Sequence, residues 1–322
     1  MSSGSPQGRA LRALSGSSGA LVCGLLSLLT FGLQVVSTAI AADIAILKSS
    51  DIAAYNQAIE GFKAAGPSGA IYTEYDLRGD LELGKKLARK IRASDVMMVV
   101  AVGLKAALAA KVEVVDIPIV HMMILDPLKH QLTGANMAGT TMELPVDRQL
   151  QMLRSFLPTA RRLGMLYDPS KTASRLKETS ALATAHGFHI QGFPVDSEKE
   201  VPQQLKALLS TVDALWLVPD STVLTNESIQ FILESALARH VPVIGFSPEF
   251  TRLGAFLSFA ANYSEIGRQT GLLAKRLLNG EKPMPLNPVP MERARVSVNL
   301  KTARFLGLEI PKELNSVIDD TY

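Results

Sequence analysis

Short apolar runs alternate with amphipathic helical patterns along most of this 322-residue chain, and that alternation restricts it to few architectures. The sharpest instance is Asp213–Val223, which reads Asp-Ala-Leu-Trp-Leu-Val-Pro-Asp-Ser-Thr-Val. Ala214–Val218 is almost wholly apolar, as suits a strand buried on both faces of a parallel sheet. Pro219 stops the run and the chain turns polar. In open α/β sheets ligands sit beyond the carboxyl ends of the strands, so Asp220, Ser221 and Thr222 stand where a binding site is expected.

The same unit recurs. Ile44–Leu47 is a strand, followed by a helix with Ile52, Tyr55, Ile59 and Phe62 at helical spacing, which Ser49, Ser50 or Asp51 can cap. Strands at 70–75 and 96–102, the latter ending in Gly103, are joined by a helix through Leu83, Leu87 and Ile91; strands at 118–124 and 132–138 complete a first set. A second set starts at Pro145 with a helix through Val146, Leu150, Leu153 and Phe156, then a strand at 163–167 that runs into Asp168. Strands at 188–195, 214–218 and 241–246 follow, separated by helices. The class is α/β, with two similar lobes, each a parallel sheet flanked by helices. One more strand at 255–261, a helix through Ile266 and Leu273, an extended stretch with Pro283, Pro285, Pro288 and Pro290, and a short strand near Val296 remain. The economical placement returns them across the junction, one to each lobe, which makes a multi-segment hinge.

The N-terminus departs from this pattern. Arg9 and Arg12 precede an uncharged stretch whose most apolar part, Ala20–Val36, ends near Ala39-Ile40-Ala41. That is the layout of a secretory signal peptide spanning 1–41, so the body of the chain is expected in the periplasm or otherwise exported; the alternative is an uncleaved membrane anchor. The single cysteine, Cys23, falls inside this stretch, so the exported body has no thiol for a disulfide, a nucleophile or a metal. Residues 1–41 hold two of the 33 basic side chains and none of the 30 acidic ones, which leaves the body at a net charge of +1. Such a balance recommends neither nucleic acid nor an anionic membrane as partner.

Several stretches together resemble the ABC-transporter substrate-binding protein family that includes aromatic amino-acid binders. They are Ile44-Ala-Ile-Leu-Lys-Ser, Ile59-Glu-Gly-Phe62, Thr133-Gly134, Gly164-Met-Leu-Tyr-Asp-Pro169, Pro242-Val-Ile-Gly245, Gly267-Arg-Gln, and above all Val298-Asn-Leu-Lys-Thr-Ala303 followed by Leu306-Gly-Leu-Glu-Ile-Pro311. The resemblance implies a type I periplasmic-binding fold, with residues 42–143 plus about 255–285 as one lobe and 144–254 plus about 286–322 as the other. It implies two lobes that close on a small ligand, an amino acid or similar, and deliver it to an ABC permease driven by a separate ATPase; the chain is expected to be a monomer. A sensory or interaction module of the same fold is the alternative.

A cleft binder needs polar groups at strand ends, helix N-termini for an anionic group, and an apolar or aromatic wall. In the first lobe the candidates are Lys48, Ser49 and Ser50 after the first strand, and Gly103 and Leu104 after the third; Thr140 lies near the first crossing. In the second lobe they are Asp168, Asp220 and Ser221, with Asp220 favoured to meet a ligand ammonium. Phe246 and Tyr263 are expected to supply a wall. The five histidines are scattered, so no metal site is expected. Neither a Walker loop nor a Gly-x-Ser-x-Gly elbow occurs in the body of the chain, and no acid, base and nucleophile converge, so no catalytic residue and no cofactor is expected.

Overall fold

A computed structural model describes residues 42–282 and 288–322. The signal-peptide stretch, Pro283 and Pro285 lie outside the described residues. Among the described residues, no helix is long and apolar enough to cross a membrane.

Two sheets form the scaffold. The first contains β1 (Asp43–Lys48), β2 (Ile71–Asp76), β3 (Met98–Val102), β4 (Ile119–Met122) and β5 (Met137–Gly139), all parallel, in the order β2-β1-β3-β4-β5. Helices α1 (Ala53–Ala65), α2 (Leu81–Arg92) and α3 (Leu104–Glu113) connect them. The apolar runs do what their composition requires: all five residues of β3 are buried, as are Ile44–Leu47 of β1, while edge strand β2 is mostly exposed or half-buried.

The second sheet has seven strands, in the order β12-β11-β10-β9-β8-β6-β7. They are β6 (Arg162–Tyr167), β7 (His189–Pro194), β8 (Ala214–Trp216), β9 (Val243–Gly245), β10 (Leu257–Ala260), β11 (Arg295–Val298) and β12 (Asp320–Thr321). Only the β10–β11 pair is antiparallel. The accompanying helices are α4 (Val146–Phe156), α5 (Ala173–Ala183), α6 (Val201–Leu209), α7 (Asn226–Ala238), α8 (Pro248–Leu253), α9 (Tyr263–Leu278) and α10 (Leu300–Phe305).

The strand expected at 255–261 is corrected in its placement. As β10 it joins the second sheet, not the first, because Leu257 and Ser258 pair in parallel with Ile244 and Gly245 of β9. The short connection through α8, a helix the apolar periodicity does not announce, brings it directly alongside. Only its following helix goes to the first sheet, where α9 packs along α1. That packing is close: a Cβ at Gly267 would lie 1.9 Å from Ala58 O, and one at Gly61 would lie 2.1 Å from Ser264 O. The polar C-terminal tail also pairs, with Asp320 and Thr321 opposite Ser297 and Val298.

Three segments join the sheets: residues 140–145, residues 261–262, and the stretch after α9, described over 279–282 and 288–294. The first and third run side by side. Thr141 N–H donates to Val289 O at 2.9 Å, Val289 N–H to Gly139 O at 2.8 Å, and Met291 N–H to Glu143 O at 3.2 Å. The second is tied in by Asn262 N–H against Met291 Sδ at 3.4 Å. The largest apolar cluster passes beneath these crossings without a break, from Ile46 and Met122 through Leu150 and Phe259 to Trp216 and Val296.

Candidate functional site

The carboxyl ends of the strands in both sheets carry the polar residues singled out by the sequence, but most of those residues hold the scaffold together. At the first sheet, Ser49 Oγ accepts from Ala106 N–H at 3.0 Å. Ala106 is the third residue of α3, so Ser49 caps α3 from a neighbouring strand end, a bond worth about 1 kcal/mol. This corrects the expectation that Ser49, Ser50 or Asp51 caps α1, whose N-cap is Ile52 with no side-chain cap bond. Ser50 Oγ instead donates to Ser49 O at 2.7 Å.

Gly103 opens α3 at φ 84°, in the left-handed region that glycine tolerates. A Cβ there would come within 2.5 Å of Tyr55 Oη and 2.8 Å of Ser49 Oγ. Leu104, the first residue of α3, is half-buried. Lys48 lies between Asp51 at 3.4 Å and Glu74 at 3.3 Å. Burial alone would lower its pKa, but hydrogen bonds from its ammonium to Glu74 and Asp51 prevail and raise it. Thr140 is fully buried, with Oγ1 2.8 Å from Thr270 Oγ1 on α9. It fastens α9 beneath the first crossing and does not face an opening.

At the second sheet the carboxylates serve the loops that follow β6 and β8. Asp220 Oδ2 accepts from Asp168 N–H at 2.8 Å and from Thr172 Oγ1, and its Oδ1 accepts from Thr222 N–H at 2.9 Å and Val223 N–H at 3.4 Å. A carboxylate offers about four acceptor sites, so Asp220 is saturated inside its own lobe and leaves none for a ligand ammonium. Burial alone would raise its pKa, but the Thr172 hydroxyl and those backbone N–H groups outweigh burial and lower it. Asp168 is held down to about 2 by hydrogen bonds from the Thr222 hydroxyl and from Ser170. Ser221 is exposed, and its Oγ accepts from Lys171 Nζ at 2.9 Å.

The opening lies at the carboxyl edge of the second sheet, against the crossings. A cavity of about 200 Å³ is walled by Trp216, Leu217 and Val218 at the end of β8, Phe246 after β9, and Phe259 and Ala260 on β10. Its far side is Met142–Leu144 of the first crossing and Met291 of the third; Gln149 on α4 and Arg175 and Thr179 on α5 close the rim. Of the residues nominated by the sequence, Phe246 alone lines this cavity. It packs tilted on Phe250 with centroids 4.7 Å apart, and Phe250 itself is buried. Tyr263, the first residue of α9, is half-buried just past the second crossing.

Two charged residues of the rim carry no sequence signal. Arg175 Nη2 lies 3.7 Å from Glu143 Oε1, while its Nη1 donates to Glu178 at 3.1 Å. Burial pushes the Glu143 carboxyl up, and the charges of Asp126 and Glu178 add to this against Arg175. A larger depression of about 510 Å³ lies beside Leu157, Arg161, Asp213 and His240. It sits at the amino ends of β6 and β8, where Asp213 is taken up by Arg162 at 2.7 Å and by the backbone N–H groups of Arg161 and Arg162 at 2.8 Å. The position that α/β sheets use for ligands is the other edge. Among the described residues there is no group of His, Cys, Asp and Glu able to hold a metal ion.

Known proteins match this architecture over most of the chain. The tyrosine-binding protein of Clostridioides difficile is 22% identical over 240 residues, which is 72% of this chain and 69% of that protein. The ligand-free, open structure of a substrate binding protein with adhesive properties from Clostridium difficile superposes with a TM-score of 0.71 at 23% identity, covering 87% of this chain and 99% of that one. An ABC domain from Streptococcus pneumonia in complex with L-Trp superposes with a TM-score of 0.54 at 20% identity, covering 88% of this chain and all of that one. The two-lobed arrangement is the type I periplasmic-binding fold. Residues 42–321 match the family described as ABC transporter substrate binding protein, and the chain belongs to that family.

Proposed function

We propose that this chain is exported, with residues 1–41 as its leader, and captures a small amino-acid-like ligand in the crevice between its lobes for delivery to an ABC permease. The lobes are taken as residues 42–143 with α9, and residues 144–260 with 288–322. The observation that carries the reading is the cavity beside Trp216 and Phe246, at the carboxyl edge of the second sheet and flush against the crossings. A ligand there touches the segments that must bend when lobes close, so its binding energy acts directly on the open–closed equilibrium. At about 200 Å³ the cavity is smaller than the roughly 300–1,000 Å³ of sites for drug-sized ligands. An amino acid suits it better than an oligosaccharide or a peptide. The tyrosine and L-Trp named for two relatives are of that size class.

The test is a thermal-shift screen of the purified chain against amino acids, organic acids, nucleosides and sugars. A ligand present at 100 times its dissociation constant adds about 2.7 kcal/mol, which is read as a raised midpoint. An L-amino acid is the expected hit. A flat response to every compound counts against capture of a small molecule.

A further inference from the structure

We propose that Arg175 and Glu143 form a zwitterion-recognition pair: the Arg175 guanidinium takes the α-carboxylate and the Glu143 carboxylate takes the α-ammonium of an L-amino acid whose apolar side chain enters the cavity walled by Trp216, Phe246 and Phe259. The inference rests on the ligand-capture reading above and goes further, by naming the two groups that recognise the ligand and the class they select.

The geometry has three parts. The first is the separation of 3.7 Å between Arg175 Nη2 and Glu143 Oε1. It lies outside the roughly 2.7–3.2 Å of a formed N–H···O hydrogen bond. The two groups attract each other but are not locked together, so a ligand carrying both charges can replace each partner with a closer one. The second is that each is held by something other than its partner. Glu143 sits on a backbone fixed at both ends, its N–H donating to Thr141 Oγ1 at 3.2 Å and its carbonyl accepting from Met291 N–H at 3.2 Å. Arg175 is steadied by Glu178 at 3.1 Å through Nη1, while its Nη2 is the nitrogen 3.7 Å from Glu143, and both residues line the cavity. The third is that the interior behind them is apolar, with Trp216 and Phe259 both buried.

One cation and one anion at a single rim select a net-neutral zwitterion. A dicarboxylate would be repelled by Glu143, a nucleotide needs more positive charge than Arg175 supplies, and a sugar needs hydrogen-bonding groups that the apolar wall does not present. The free state also favours ammonium capture. Burial makes a charge on Glu143 costly, Arg175 offsets part of that cost and Asp126 and Glu178 add to it, so the carboxyl stays pushed up, and a ligand ammonium relieves the remainder. Glu143 belongs to the first crossing and Arg175 to a helix of the second sheet, so the ligand would bridge hinge and lobe.

Calorimetric titration of the full chain uses the tightest binder among L-phenylalanine, L-tyrosine, L-tryptophan and L-leucine, together with its amide, which lacks the carboxylate, and its N-acetyl derivative, which lacks the ammonium. Glu143→Gln and Arg175→Gln are each expected to weaken the free amino acid at least tenfold. Each variant should lose nothing further toward the derivative already missing its own partner: Arg175→Gln toward the amide, Glu143→Gln toward the N-acetyl compound. Urea midpoints of both variants near that of the parent separate recognition from folding. If the amino acid binds the parent and both variants equally, the pair is not the recognition element, although ligand capture stands. If none of the four amino acids binds the parent, the pair assignment falls together with the reading it rests on.

Discussion

The backbone N–H of Asp168 donates to Asp220 Oδ2 at 2.8 Å, across 52 residues of sequence, so one carboxylate joins the turns that follow two neighbouring strands. The Thr172 hydroxyl and the N–H groups of Thr222 and Val223 complete its set of partners. Asp220→Asn places an amide donor among groups that all donate, and Asp220→Ala leaves them unanswered in a buried site. Either change is expected to cost about 1–3 kcal/mol, seen as a lower urea midpoint with an unchanged slope. A variant as stable as the parent that no longer binds ligand would return Asp220 to the ligand.

The α1–α9 contact supports a second prediction. Gly267→Ala forces a methyl group to within 1.9 Å of Ala58 O, and both partners are helix backbones that cannot swing aside. Overpacking of this kind costs about 1–3 kcal/mol or more. Gly134→Ala, whose Cβ meets nothing nearer than 3.8 Å, serves as the control and should leave the thermal midpoint within a degree or two. Equal midpoints for the two variants would mean that α9 does not bear on α1 as closely as described.

These two cases mark how far the residues could be read in one dimension. Strands such as β1 and β3 are legible because burial on both faces demands an uninterrupted apolar run. Asp168 and Asp220 are found at strand ends as expected, yet their role is not, because saturation by Thr172, Thr222 and Val223 exists only once the loops meet. Ser49 looks like a cap for the helix that follows it and caps α3 instead, since parallel pairing of β1 with β3 places Ser49 beside that helix start. The placement of β10 depends on sheet order, which apolar periodicity does not encode. Arg175 and Glu143 are single charges on a helix and a connecting segment, and only the crossing of the chain brings them within 3.7 Å.

His121 sets an acid limit on stability. Its ring is fully buried on β4, neither ring nitrogen has a hydrogen-bond partner among the described residues, and burial pushes its pKa down to about 4. The unfolded chain takes up this proton near pH 6.5 and the folded chain does not. Stability is therefore complete above about pH 6.5, falls as pH drops toward 4, and loses about 3 kcal/mol across that window. His121→Leu should be near neutral at pH 7, because it removes an unpartnered polar group with little change in side-chain volume. It should also flatten the decline between pH 6.5 and 4 relative to the parent in urea titrations at a series of pH values. Parallel pH profiles for the two proteins would show that His121 is not the group responsible.

The cavity itself carries a reporter. The chain has a single tryptophan, and Trp216 is 4% exposed at the end of β8 and lines the cavity. An amino acid entering there replaces water against the indole, so its emission should shift saturably with the same dissociation constant that calorimetry measures. Phe246 forms the adjoining wall and is held in place by Phe250 at 4.7 Å. Phe246→Ala removes an aromatic contact worth about 0.5–1.5 kcal/mol, or roughly twofold to tenfold in affinity, with the larger loss for an aromatic ligand than for leucine. Binding heat without any change in Trp216 emission would put the ligand elsewhere in the crevice. A matching titration that weakens in Phe246→Ala would tie recognition to the end of β8, where the apolar run stops at Pro219.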